Sequence, residues 1–216
     1  MLRSFEAVLW DMNGVLLDDE SYQWEAFKQV LEARGFPIPE EDFNRYCGVT
    51  EQECFALAMN IAHDHDDVLA CMEERRTCYQ TIMNGRLPLY PGAAEAVGRA
   101  EAAGYRQAIA SGACRVEVLA VAEALGADRF GAMVAAEDVT RGKPNPEGYL
   151  KAASLLNVSP SQCLVIEDSV HGIEAALAAG TQCVAVAHSF PIERLSRAHL
   201  AFPTLEAALQ SGELGF

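Results

Sequence analysis

From Leu87 to the C-terminus, short apolar runs alternate with stretches whose apolar residues recur at helical spacing. The apolar runs lie at Tyr105–Ala110, Ala132–Ala135, Cys163–Ile166 and Cys183–Ala187. The helical stretches between and around them are Ala93–Ala103, Val116–Leu125, Pro146–Leu156 and Val170–Ala179, with a last short one at about Leu205–Leu209, after Phe202. Repeated strand–helix alternation predicts a parallel sheet with helices on both faces, because a parallel neighbour is reached only through a crossover. The expected fold class is therefore α/β.

The first strand of that sheet lies at the other end of the chain. Ala7-Val8-Leu9-Trp10 runs straight into Asp11, and Gly14 allows a sharp turn soon after. Between this strand and Leu87 every apolar pattern is helical. Asp19–Arg34 reads as a helix stopped by Gly35 and Pro37, and 40–84 continues in helices, about four in all. The Pro- and Gly-rich stretch Leu87-Pro88-Leu89-Tyr90-Pro91-Gly92 marks the return to the sheet. The division expected is a core of residues 1–17 and 88–216, with a helical insertion at 18–87.

A net charge of -15 argues against nucleic acid and against an anionic membrane surface as partners. An anionic ligand would need a local cation. No apolar run is long enough to span a membrane, and Met1–Glu6 has no signal-peptide core. The seven cysteines form no Cys-x-x-Cys pair and read as reduced thiols of a cytoplasmic protein. His63 and His65 read as part of a solvated loop, Trp10 as core, and Arg75 and Arg76 as a solvated helix face.

In a parallel sheet, residues just past the strand ends share one edge, where open α/β sheets bind ligands. Those residues are Asp11 and Asn13, Ser111 and Gly112, and Glu167 and Asp168. Lys143, one of only three lysines, arrives on a loop between Gly142 and Pro144. Three converging carboxylates would repel one another, and a hard divalent cation such as Mg²⁺ resolves that. Ser111, the Gly112 amide and Lys143 would then face phosphate oxygens, with an aspartate as nucleophile. The expected chemistry is metal-assisted phosphoryl transfer.

These residues resemble the haloacid dehalogenase (HAD) superfamily, in its β-phosphoglucomutase-like branch. Asp11-Met12-Asn13-Gly14-Val15-Leu16-Leu17-Asp18 is similar to its first motif, Ser111 to the second and Lys143 in Gly142-Lys143-Pro144 to the third. Glu167-Asp168-Ser169-Val170-His171-Gly172-Ile173-Glu174-Ala175-Ala176 is similar to the fourth. The resemblance implies a HAD-like, Rossmann-type parallel-sheet core with an inserted α-helical cap domain that closes over substrate and excludes water. It also implies a phosphatase for a small phosphorylated metabolite, working as a monomer or weak dimer. By the same resemblance, Asp11 is the nucleophile that forms an aspartyl-phosphate. Mg²⁺ is held by Asp11, the Asn13 carbonyl and Asp168, with Glu167 bound directly or through water. Ser111, Gly112 and Lys143 hold the phosphoryl group.

Two departures follow. The family's acid/base aspartate is here Asn13, whose carboxamide exchanges no proton, so slow turnover is expected. Gln23 stands where many relatives carry a His, and with Thr50 it is a candidate substrate contact on the cap. Asp19 is a candidate substitute for the lost acid, and His188 a candidate lining residue at the site edge. Glu51 falls where mutase relatives hold a second phosphate, and its charge disfavours a sugar-phosphate mutase. Paired Glu167-Asp168 with Lys143 disfavours a dehalogenase. The alternative to a phosphatase is a catalytically impaired or regulatory relative that binds a phosphometabolite or a protein partner.

Overall fold

A computed structural model describes residues 2–39, 42 and 51–216. The chain separates into two compact units, Met1–Asp18 with Leu87–Phe216, and Asp19–Arg86.

The larger unit is built on six parallel strands: β1 (Ala7–Trp10), β2 (Arg106–Ala110), β3 (Ala132–Val134), β4 (Cys163–Glu167), β5 (Gln182–Val186) and β6 (Leu200–Phe202), in the order β3-β2-β1-β4-β5-β6. The strand that comes first in sequence lies near the middle of the sheet, with Leu9 opposite Ala108 on one side and Val165 on the other. β1, β4 and β5 are buried along their whole length, which explains their continuous apolar runs. Trp10 is core, as expected, and its Nε1 donates to the buried Gln107 Oε1 at 2.9 Å. The edge strand β6 was not foreseen. It is three residues long and half-buried, too short to leave a periodic signal.

In chain order the helices are α1 (Glu20–Ala33), α2 (Glu51–Met59), α3 (Asp66–Met83), α4 (Ala93–Ala102), α5 (Arg115–Leu125), α6 (Glu147–Leu155), α7 (Val170–Ala179) and α8 (Leu205–Gln210). α4 to α8 belong to the sheet unit. Ser169 starts α7 by accepting from the Gly172 amide at 3.0 Å, and Gly180 ends it in a left-handed conformation.

α1, α2 and α3 form the smaller unit. Its interior is Trp24, Phe27, Val30, Leu31, Phe55, Met59 and Val68. Three of the four expected helices are described; the Gly48–Thr50 segment, Thr50 included, lies outside the described residues. Arg34 ties α1 to α3 through both oxygens of Glu74, at 2.7 and 3.1 Å. Cys71, Cys163 and Cys183 are free thiols buried in the fold, and Cys47 lies outside the described residues. No helix among the described residues is long and apolar enough to cross a membrane.

Candidate active site

The strand ends meet around Asp11, which is 6% exposed. Its amide donates to the Ile166 carbonyl at 3.0 Å, which fixes the end of β1 beside the end of β4. The chain then folds on itself, with the Leu16 and Leu17 amides both returning to the Met12 carbonyl, at 2.8 and 2.9 Å. Gly14 makes this turn at φ 79°. A Cβ there would fall 1.9 Å from Asp168 Oδ2, so the backbone passes where no side chain fits.

Lys143 Nζ donates to Asp11 Oδ1 and, at 2.6 Å, to Glu167 Oε1. Its loop is pinned by Glu147, whose carboxylate accepts from the Thr140 and Arg141 amides at 2.8 and 3.1 Å. The Lys143–Pro144 bond is cis. Glu167 is wholly buried and saturated with donors. Tyr149 Oη reaches Oε1 at 2.8 Å, while the Asp168 and Ser169 amides and the Ser169 hydroxyl reach Oε2 at 2.8, 2.9 and 3.0 Å. The Ser189 hydroxyl donates to Asp168 Oδ2. Ser111 Oγ donates to Asn13 Oδ1 at 3.2 Å and accepts from the Ala113 amide at 3.0 Å.

Charge follows from this packing. Burial, with Glu167 nearby, lifts the Asp11 carboxyl to about 7 against the pull of Lys143. Burial also raises Asp168 well above the usual carboxylate range, reinforced by Glu167 and Asp11. Glu167 is buried too, yet Lys143 and its hydrogen bonds hold it low. For Lys143, burial would lower the pKa, but Asp11 and Glu167 together hold it raised. Asp11, Glu167 and Asp168 offer carboxylate oxygens that all lie within 4.8 Å of one another. Three acids share one lysine, so Asp11 and Asp168 hold protons more tightly than free carboxylates, and an all-oxygen donor set suits a hard divalent cation that would displace those protons.

Asp11, Asn13, Ser111, Lys143, Glu167 and Asp168 are therefore brought together, and Gly112 lines a cavity of about 30 Å³ beside Ser111 and Lys143. Gln23 belongs to the other unit. In the helical unit its Nε2 donates to Asp19 Oδ2 at 2.7 Å and its Oε1 accepts from Arg75. Asp19, only 1% exposed, also takes the Tyr79 hydroxyl at 2.6 Å. Arg75 corrects the sequence reading: it is half-buried and ion-paired with Glu51, whereas Arg76 is solvated as expected. The pairing also removes the charge argument against a mutase, because Glu51 is neutralised. Tyr149 and Ser189 were missed. Each carries an ordinary hydroxyl distant in sequence from the acid it supports. His188 is held between the Gly14 carbonyl, 2.8 Å from Nδ1, and the Leu205 amide, which donates to Nε2 at 3.2 Å. Tyr90 stacks on its ring at 3.9 Å.

A family model for haloacid dehalogenase-like hydrolases matches residues 5–180. The chain belongs to this family. It is 33% identical to the phosphorylated carbohydrates phosphatase of Thermotoga maritima over 186 residues, 85% of this chain and 86% of that protein. It is 26% identical to the β-phosphoglucomutase of Bacillus subtilis, over 87% and 85% of the two chains. Among solved structures, CbbY of Rhodobacter sphaeroides in complex with phosphate superposes with a TM-score of 0.76 at 25% identity, covering 93% and 95%.

Proposed function

We propose that the chain is a phosphoric monoester hydrolase for a small phosphorylated carbohydrate, with residues 18–87 as its cap. The observation that carries this reading is the Lys143 bridge between the buried acids Asp11 and Glu167, with Asp168 alongside. A carboxylate held by an ammonium at the open end of a sheet is placed to attack phosphorus and form an aspartyl-phosphate. Lys143, Ser111 and the Gly112 amide are the donors assigned to the transferred oxygens. Mg²⁺ fits the donor set of Asp11, Glu167, Asp168 and the Asn13 carbonyl, and when bound it would displace the protons held by Asp11 and Asp168 and polarise the phosphoryl group. Lys143 partly offsets the burial that raises Asp11, while Ser189 and Tyr149 fix the flanking acids. The relative from Thermotoga maritima supports a carbohydrate phosphate as substrate. The relative from Bacillus subtilis supports a phosphomutase as the second reading, which the Glu51–Arg75 pair no longer opposes.

The test is phosphate release from a panel of sugar phosphates with Mg²⁺, set against Asp11→Ala. Release that depends on Asp11 is the expected result. No release from the wild-type chain or from Asn13→Asp would sink the hydrolase reading, and interconversion of sugar phosphate isomers without net release would favour the mutase.

A further inference from the structure

Transfer through Asp11 moves protons twice. When an Asp11 oxygen bonds to phosphorus, the bond from phosphorus to the leaving oxygen breaks and its electron pair departs with that oxygen. An alkyl phosphate thereby releases an alkoxide, which must take up a proton. Hydrolysis of the aspartyl-phosphate then needs a group that takes a proton from the attacking water.

In the sheet unit, Lys143, Tyr149, Glu167, Asp168 and His188 are all engaged with other groups. Lys143 is spent on Asp11 and Glu167. The Tyr149 hydroxyl is turned onto Glu167, which itself accepts from Lys143, two amides and the Ser169 hydroxyl. Asp168 takes the Ser189 hydroxyl and belongs to the acidic trio suited to a cation. His188 is occupied at both ring nitrogens, by the Gly14 carbonyl and the Leu205 amide. The polar side chain that meets Ser111 on the β1 turn is the Asn13 carboxamide, which donates hydrogen bonds but keeps its protons.

We propose that, beyond carbohydrate phosphates, this site accepts a phosphoryl group from acyl phosphates, takes it from them faster, and holds it on Asp11 as a long-lived aspartyl-phosphate. The inference rests on Asp11 being the nucleophile of the proposed hydrolase, and it adds a donor class whose leaving group needs no acid. An acyl phosphate releases a carboxylate, which leaves as a stable anion near neutral pH and needs no acid. The electron pair of the broken phosphorus–oxygen bond stays on that carboxylate, and the phosphoryl group stays on Asp11. The water that finally cleaves the aspartyl-phosphate gives its proton to bulk solvent, and a missing general base slows that step by about 10²–10⁴-fold.

The experiment uses the full chain with Mg²⁺ and, in parallel, acetyl phosphate or glucose 6-phosphate, followed by intact mass. Acetyl phosphate is expected to add one phosphoryl mass to the wild-type chain and none to Asp11→Ala. Glucose 6-phosphate is expected to label at least about a hundredfold more slowly. After donor removal the adduct should persist about 10²–10⁴-fold longer in the wild type than in Asn13→Asp. Equal labelling by both donors overturns the proposal while leaving Asp11 as nucleophile. So does an adduct that decays as fast as in Asn13→Asp, or the absence of any adduct when Asn13→Asp turns over acetyl phosphate. If neither chain gives an Asp11-dependent adduct or phosphate release, the hydrolase reading falls with it. Should Asn13→Asp fail to fold, the comparison of donors on the wild type decides alone.

Discussion

Replacing Gly172 by Ala sets two effects of opposite sign against each other at one atom. Gly172 lies inside α7, where alanine is favoured over glycine by about 1 kcal/mol. Its backbone has no left-handed requirement, so a rule drawn from helix propensity alone makes the substitution stabilising. The new Cβ, however, would sit 1.6 Å from Glu167 Oε1 and 1.9 Å from its carboxyl carbon. Glu167 cannot step aside cheaply, because Lys143, Tyr149, Ser169 and two amides hold it in place without solvent contact. Separating a buried ion pair costs about 3–5 kcal/mol. After the helical gain, a net loss of about 2–4 kcal/mol remains. At about 2–4 °C per kcal/mol for a chain of this size, the melting temperature falls by roughly 4–16 °C. Gly98→Ala is the matched control. It too lies inside a helix, α4, and its Cβ would meet only Arg129 Nη1 at 3.6 Å, an ordinary contact. It should gain up to about 1 kcal/mol. The assay is thermal and urea unfolding in a Trp24→Phe background, so that the remaining tryptophan, Trp10, reports on the sheet unit. If Gly172→Ala melts at or above the wild type, the account of Glu167 as an immovable, fully bonded acid is wrong.

Other consequences are open to direct measurement. In metal-free protein, Asp11 has a folded pKa of about 7 against an unfolded value of 3.8, so the folded state holds its proton more tightly. Its contribution to stability is full below about pH 4 and is lost as the pH rises towards 7, and urea unfolding in EDTA should show a shallower decline over that window for Asp11→Asn. Lys143→Met leaves Asp11 and Glu167 buried without their cation and should destabilise metal-free protein by about 3–5 kcal/mol. Added Mg²⁺ should recover part of that loss in a concentration-dependent way, and a melting temperature indifferent to Mg²⁺ would count against the acidic trio as a metal site. His188→Ala removes the link between the Gly14 carbonyl and the Leu205 amide together with the Tyr90 stack. A cost of about 1–3 kcal/mol is expected, with faster hydrogen exchange at the Leu205 amide; unchanged exchange would show that the bridge is idle.

The strands were legible because burial on both faces leaves an unbroken apolar run, as at Ala7–Trp10 and Cys163–Glu167. The site acids were legible because each follows directly on such a run. Tyr149, Ser189 and the Arg75–Glu51 pair were not legible. Nothing in a helical Tyr or a loop Ser says which distant carboxylate it meets, and an Arg on a polar helix looks solvated until its neighbours are in place. β6 escaped because three half-buried residues carry no period.

Sequence alone determined the alternation that forces a parallel sheet, the acids at its strand ends, and the carboxamide at position 13, since all of these are local and covalent. Only the tertiary structure decided what those groups can do. It drew Lys143 across 132 positions of sequence onto Asp11, closed Glu167 inside a shell of donors and turned His188 onto the Gly14 carbonyl. Proton affinity and charge depend on burial and on neighbours brought from far along the chain, and these exist only once the sheet has formed.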